Sequence, residues 1–271
     1  MASLFGSDAY TPAEISARIE SVGVTKARLP LLQMVVLSLL GGAFIGLGAL
    51  VCMLVLSDAT LGYAASRLLA GLVFSLGLLL VVVAGAELFT GNNLLAMAWA
   101  DGRIGTGELL RCWLVVCAGN FAGALVLAMM VWLSGHASGN AGAIAAAYVQ
   151  VATAKCELPL PEAFWRGVLC NVLVCLAVWM AAAGRSVIDK AVAIVPPVTV
   201  FVAAGFEHSV ANMFVVPMAL LLEAASPAAV PGLDLVAFLE RLAVVIAGNL
   251  VGGSVLVALV YHLIYRRGQP S

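Results

Sequence analysis

The stretch Gly205–Phe214 reads G-F-E-H-S-V-A-N-M-F and sets a glutamate, a histidine, a serine and an asparagine inside a strongly apolar segment. Ionisable side chains at membrane depth are costly and mark ion pathways or proton relays. Histidine, with an unperturbed pKa of about 6.5, donates a hydrogen bond or a proton near neutral pH. His208 is therefore the candidate donor. A second stretch, Gly85–Asn93 (G-A-E-L-F-T-G-N-N), has the same character. Gly85, Glu87 and Asn92 recur as Gly205, Glu207 and Asn212 at identical internal spacing, with Leu88 standing where the second stretch has His208. Glu87 and Glu207 are expected to satisfy backbone N–H groups of the two loops. Thr90 and Ser209 stand where each could N-cap a resumed half-helix. Such a helix start carries about half a unit of positive charge, which suits an anion.

The elements that must hold these loops are apolar. The 271 residues are 63% hydrophobic and 10% charged, against about 25% charged in soluble domains. Mean hydropathy is +1.12. The chain is read as an integral membrane protein. A net charge of −1 leaves no basic surface for nucleic acid. Residues 1–28 are polar, with mixed charge including Asp8, and lack the layout of a signal peptide. They are read as a cytoplasmic lead-in, with Ile15, Ile19 and Val22 at helical spacing. The remainder, 29–271, is read as the transmembrane domain. None of the six cysteines forms a C-x-x-C pair; most lie in apolar runs as small buried hydrophobes, and Cys156 alone falls in a polar loop. His136 and His262 stand far from His208, so no metal or cofactor site is expected.

Apolar runs cover about 30–56, 67–100 (interrupted at 87–93), 109–133, 163–183, 191–222 (interrupted at 205–209) and 235–265. Residues 134–162 read as a Gly/Ala-rich connection carrying Lys155, and a loop with Pro227 and Pro231 precedes the last run. Six spans place both termini on one side. Arg18, Lys26, Arg28, Arg103, Arg111, Arg185, Lys190, Arg266 and Arg267 fall on that side, against Arg67, Lys155, Arg166 and Arg241 opposite. The bias makes the terminal side cytoplasmic.

The third and sixth runs share A-G-N-x-x-G, at Ala118–Gly123 and Ala247–Gly252. Together with the Gly-x-Glu…Asn pair, this is an ordered duplication of residues 30–135 and 163–265. Each half has an odd number of spans, so the halves must be inverted in the membrane. Inverted repeats with interrupted helices point to a pathway at the midplane. The expected fold is all-α, with six transmembrane helices as two inverted three-helix repeats, the second and fifth helices broken.

At these residues the chain resembles the formate–nitrite transporter family. The matching phrases are A-G-A-E-L-F-T-G-N at Ala84–Asn92, C-N-x-L-V-C-L-A-V-W-M at Cys170–Met180, G-R-S-x-x-D-K at Gly184–Lys190 and G-F-E-H-S-V-A-N-M at Gly205–Met213. The G-F-E-H form is more like the formate branch. The resemblance implies an aquaporin-like protomer, a homopentamer with one pore per subunit in the bacterial inner membrane, and small monovalent anions as substrate. It implies His208 as the central pore histidine, Thr90 as the threonine of the first broken loop, Lys155 as the vestibule lysine and Asn171 as the pore asparagine. It also implies apolar constrictions at Phe74, Leu78, Leu88, Phe89 and Phe201.

The expected mechanism follows. Lys155 and the helix dipoles draw the anion in. His208, oriented by Thr90 or Asn171, supplies a proton or strong donor, so the substrate crosses as, or nearly as, the neutral acid. The alternatives are a nitrite, hydrosulfide or short-carboxylate channel of the same family, and a neutral-solute channel of the aquaporin type. The paired N-P-A loops of the latter are missing. No nucleophile–base pair or cofactor motif suggests an enzyme.

Overall fold

The computed structural model describes residues 9–225 and 231–265, and every regular element in them is helical. Asp8, Pro227, Arg266 and Arg267 lie outside those residues. Five helices are long and apolar enough to cross a membrane: α2 (Leu31–Leu56), α3 (Tyr63–Gly85), α5 (Thr106–Leu133), α7 (Leu160–Ala183) and α10 (Leu235–Tyr265). The second run continues past α3 through a 3-10 turn, Gly91–Leu95, into the short α4 (Ala96–Ala100). The fifth run is two shorter pieces, α8 (Val187–Ala203) and α9 (Ser209–Ala224). Both interruptions turn on a glycine in the left-handed region, Gly85 at φ +92° and Gly205 at φ +73°. A side chain there would strain the backbone, so glycine ends the helix and releases the loop.

The lead-in is the helix α1 (Pro12–Ala27), opened by a capping box in which Glu14 Oε2 accepts from the Thr11 N–H at 2.8 Å. That backbone bond, with the Thr11 hydroxyl second, holds the Glu14 carboxyl below the usual range. Ile15 and Ile19 are buried against Met97 and Trp179, whereas Val22 is 43% exposed. The amphipathic helix therefore docks onto the bundle rather than trailing from it. Residues 143–156, read from the sequence as connection, form the helix α6 (Ala143–Cys156). Its alanine-rich stretch favours helix, and Tyr148 packs edge-on against Phe214 at 6.0 Å. Cys156 is the last residue of that helix and is buried, not in a polar loop.

Packing repeats across the chain. Helix α2 lies on α3 and α5, and α7 lies on α8 and α10; α3 meets α8, and α5 meets α9. The α2–α5 contact is backbone to backbone: a methyl group at Gly42 would overlap the Asn120 carbonyl, and one at Gly123 the Leu39 carbonyl. Small residues permit this approach where lipid supplies no hydrophobic drive between helices. Gly42→Ala is expected to destabilise the protein by about 2–3 kcal/mol, read as a lowered thermal midpoint in detergent. An unchanged midpoint would contradict the close packing.

Candidate functional site

Two asparagines in the third and sixth runs fasten the two loops. Asn120 Oδ1 accepts from the Phe89 N–H at 2.8 Å, and its Nδ2 donates to the carbonyls of Ser38 at 2.7 Å and Glu87 at 2.8 Å. Asn249 Oδ1 accepts from the Ser209 N–H at 3.0 Å, and its Nδ2 donates to the carbonyls of Gly167 at 2.8 Å and Glu207 at 3.0 Å. The Glu87 N–H reaches the Leu37 carbonyl at 3.1 Å, and the Glu207 N–H the Arg166 carbonyl at 3.2 Å. Non-helical backbone inside a membrane must be satisfied by the protein or by a cavity, and the same bonds do this in each half.

The expectation that Glu87 and Glu207 satisfy loop N–H groups is corrected, because the asparagines and helix carbonyls already do so. Glu87 instead accepts from Asn92 Nδ2 at 2.6 Å and pairs with Lys26 Nζ at 3.1 Å. Glu207 accepts from Asn212 Nδ2 at 2.7 Å and from Lys155 Nζ at 2.8 and 2.9 Å. Lys26 also donates to Asn92 Oδ1 at 2.9 Å. Sequence reasoning missed Lys26 as a partner of the first loop. It lies 61 residues before Glu87 on a helix read as a soluble lead-in, so no local pattern joins the two.

Each ion-paired loop lines a cavity. One, of about 380 Å³, is bordered by Lys26, Glu87, Leu88, Arg18 and Lys190. The other, of about 260 Å³, is bordered by Lys155, Glu207, His208, Arg67 and Arg166. Between them lies a void of about 10 Å³ lined by Ile45, Phe74, Leu78, Leu88, Val174, Val198, Phe201 and His208, room for about one water molecule. Phe74 and Phe201 border both the void and the Lys155 cavity, while Leu78 and Leu88 border both the void and the Lys26 cavity. Phe74 and Phe201 on one side and Leu78 and Leu88 on the other narrow the way between the cavities, and His208 borders both the void and the Lys155 cavity. Phe74 and Phe201 meet edge-on at 5.8 Å, and the imidazole stacks on Phe201 at 5.9 Å. Phe89 lines none of the three spaces; it is buried, and its backbone N–H is the one held by Asn120.

His208 is fixed at both ring nitrogens. Nδ1 accepts from the Ala211 N–H at 3.1 Å, so His208, not Ser209, caps α9. Ser209 lies one residue inside that helix, and its hydroxyl makes no hydrogen bond. An accepting Nδ1 assigns the proton of the neutral ring to Nε2, and Nε2 lies 3.0 Å from the Thr90 hydroxyl. Thr90 spends its hydroxyl on the histidine and does not cap the Gly91–Leu95 turn. Among the described residues, Asn171 makes no hydrogen bond to His208. It donates to the carbonyls of Thr90 at 3.3 Å and Asn249 at 2.7 Å, so it ties the first loop to α10, whose Asn249 side chain fastens the second. Away from this axis, Glu20, Asp101 and His262 bring ligand atoms within 4.8 Å of one another; Arg103 reaches Glu20 at 3.5 Å.

Known proteins are similar to this chain in sequence and fold. A family model for the formate/nitrite transporter matches residues 13–263. The chain is 38% identical over 273 aligned positions to the formate channel FocA of Escherichia coli (strain K12), covering 96% of each. A solved structure described as a pentameric formate channel with formate bound superposes with a TM-score of 0.81 at 36% identity, covering 87% of this chain and 97% of that one. Another, an FNT family ion channel, gives 0.83 at 30% identity, covering 93% and 98%.

Proposed function

This chain belongs to the formate/nitrite transporter family, a transport protein and not an enzyme, and on that premise we propose that it conducts small monovalent anions, formate foremost. The reading extends to six spans arranged as two inverted three-helix repeats, a homopentamer, and an inner-membrane setting with both termini cytoplasmic. The mirrored fastening of the two loops by Asn120 and Asn249 supports the repeat. The observation that carries the function is the His208–Thr90 hydrogen bond inside an apolar chamber, bracketed by cavities that each hold a lysine.

The physical logic is charge removal. A bare anion in an apolar chamber is disfavoured by several kcal/mol or more, and a small neutral acid meets a far lower barrier. The cations bordering either cavity gather the anion. At the constrictions, the Nε2–H and the Thr90 hydroxyl form a donor relay that stabilises the anion while it takes a proton from cavity water, whose hydroxide stays behind in that cavity. His208 acts in this scheme as a fixed donor rather than a proton carrier. A second proton on Nδ1 would set N–H against the Ala211 N–H and break the cap. Losing the Nε2 proton would leave an imidazolate.

Swelling and flux in proteoliposomes test the reading with formate, nitrite, hydrosulfide, acetate, lactate and glycerol. Formate is expected to move fastest, with glycerol near the protein-free rate. Glycerol moving as fast as formate would replace the anion pathway with a neutral-solute channel, and a higher nitrite rate would reassign the substrate within the family.

A further inference from the structure

Among the cations bordering the Lys155 cavity, two are already neutralised. Lys155 pairs with Glu207 at 2.8 Å, and Arg166 pairs with Glu162 at 2.8 Å. The third, Arg67, has no carboxylate within ion-pair distance among the described residues. It is held by backbone instead: Nε donates to the Ala203 carbonyl at 3.2 Å and Nη2 to the Val202 carbonyl at 2.9 Å. These are the last carbonyls of α8, where the helix stops at Gly205. A helix C-terminus carries about half a unit of negative charge, which would repel an anion approaching His208. The guanidinium covers that end and leaves its remaining N–H donors, of five in all, for other partners. Among the described residues, no cation hydrogen-bonds the carbonyls at 82–85, where the first interrupted helix ends. The clamp, like the histidine, is found at the second interruption only, although Arg67 itself stands in the first half.

We propose that Arg67 is the specificity-determining cation of the Lys155 cavity: it screens the carbonyl end of α8 and supplies the uncompensated positive charge that draws anions to the Phe74–Phe201 constriction. The proposal rests on the anion-conducting reading above. It separates two tasks, with Lys155 holding the Glu207 loop and Arg67 setting the field.

The test uses the full-length protein in proteoliposomes, with radiolabelled formate as probe and the variants Arg67→Met and Arg67→Lys. Arg67→Met is expected to raise the apparent KM for formate about tenfold, the size of one partly screened charge lost near the binding position. The maximal rate should stay within about twofold. Arg67→Lys keeps the charge and should stay within about threefold in KM. In about 1 M salt, where the Debye length is about 3 Å, wild type and Arg67→Met should converge. A purely structural arginine would lower the maximal rate or the yield and leave no salt-dependent KM difference. Equal KM and salt dependence in wild type and Arg67→Met, with formate still moving, would overturn the role of Arg67 alone. A wild type that moves no formate would overturn the reading beneath it. Should Arg67→Met fail to assemble, a wild-type KM that stays constant between about 0.05 and 1 M salt would overturn the proposal.

Discussion

Asn249→Leu is expected to yield no assembled channel. Leucine nearly matches asparagine in size, so packing is disturbed little, and the loss is polar. The Ser209 N–H and the carbonyls of Gly167 and Glu207 lose their bonds to the Asn249 side chain, at 3.0, 2.8 and 3.0 Å. A buried polar group left without a partner costs about 1–3 kcal/mol. The Gly167 carbonyl keeps its bond within α7, so two groups are left bare, and about 2–6 kcal/mol is comparable to the lower part of an ordinary domain's stability, about 5–15 kcal/mol. The loop carrying Glu207 and His208 would lose its anchor at the same time. Size-exclusion chromatography and thermal unfolding in detergent give the readout. An Asn249→Leu protein that assembles and melts with the wild type would show that water, not the asparagine, satisfies this loop. Asn120→Leu should behave alike, because it makes the mirrored bonds.

His208→Asn is expected to fold and assemble while losing most of its formate flux. Asparagine is among the best N-cap residues, so its side-chain oxygen can replace Nδ1 as acceptor for the Ala211 N–H. The shorter side chain does not extend to the position of Nε2, 3.0 Å from the Thr90 hydroxyl. A hydrogen bond to a charged group is worth about 1.5–3 kcal/mol, and losing it at the barrier lowers the rate about 10- to 100-fold. The substitution thus separates the structural duty of the histidine from its duty toward substrate. Retained flux in an assembled protein would leave the histidine only as a helix cap.

Much of this arrangement is legible in the residues. Polar phrases inside apolar runs locate both loops, because polar and ionisable side chains are too costly inside a membrane span to stand there without partners. The repeated Gly-x-Glu…Asn places a glutamate and an asparagine in each loop, but not that they bond each other rather than the backbone. The repeated A-G-N-x-x-G is visible too. Its asparagines, however, act on backbone groups more than 30 residues away, and a one-dimensional pattern does not show which carbonyl an amide will meet. Ser209 is the commoner capping type, yet the cap belongs to the residue with extended backbone before the helix, His208 at φ −102° and ψ 111°. Lys26 reaches Glu87 only because Ile15 and Ile19 dock α1 onto the bundle. The hydrophobic spacing marks an amphipathic helix, but neither the surface it docks on nor the partner it delivers. Arg67 looks like an ordinary cation near a helix start until the fold sets it against the end of α8.

Charge removal at a fixed donor is tested most directly by formate flux against pH, in proteoliposomes of wild type and His208→Asn at matched protein density. Wild-type flux should rise as pH falls, since the acid form becomes more abundant. His208→Asn should run parallel to it, about 10- to 100-fold lower at every pH. Coincident curves would contradict the role of His208. Curves of different shape would contradict the fixed donor, making the histidine itself the group that carries the proton.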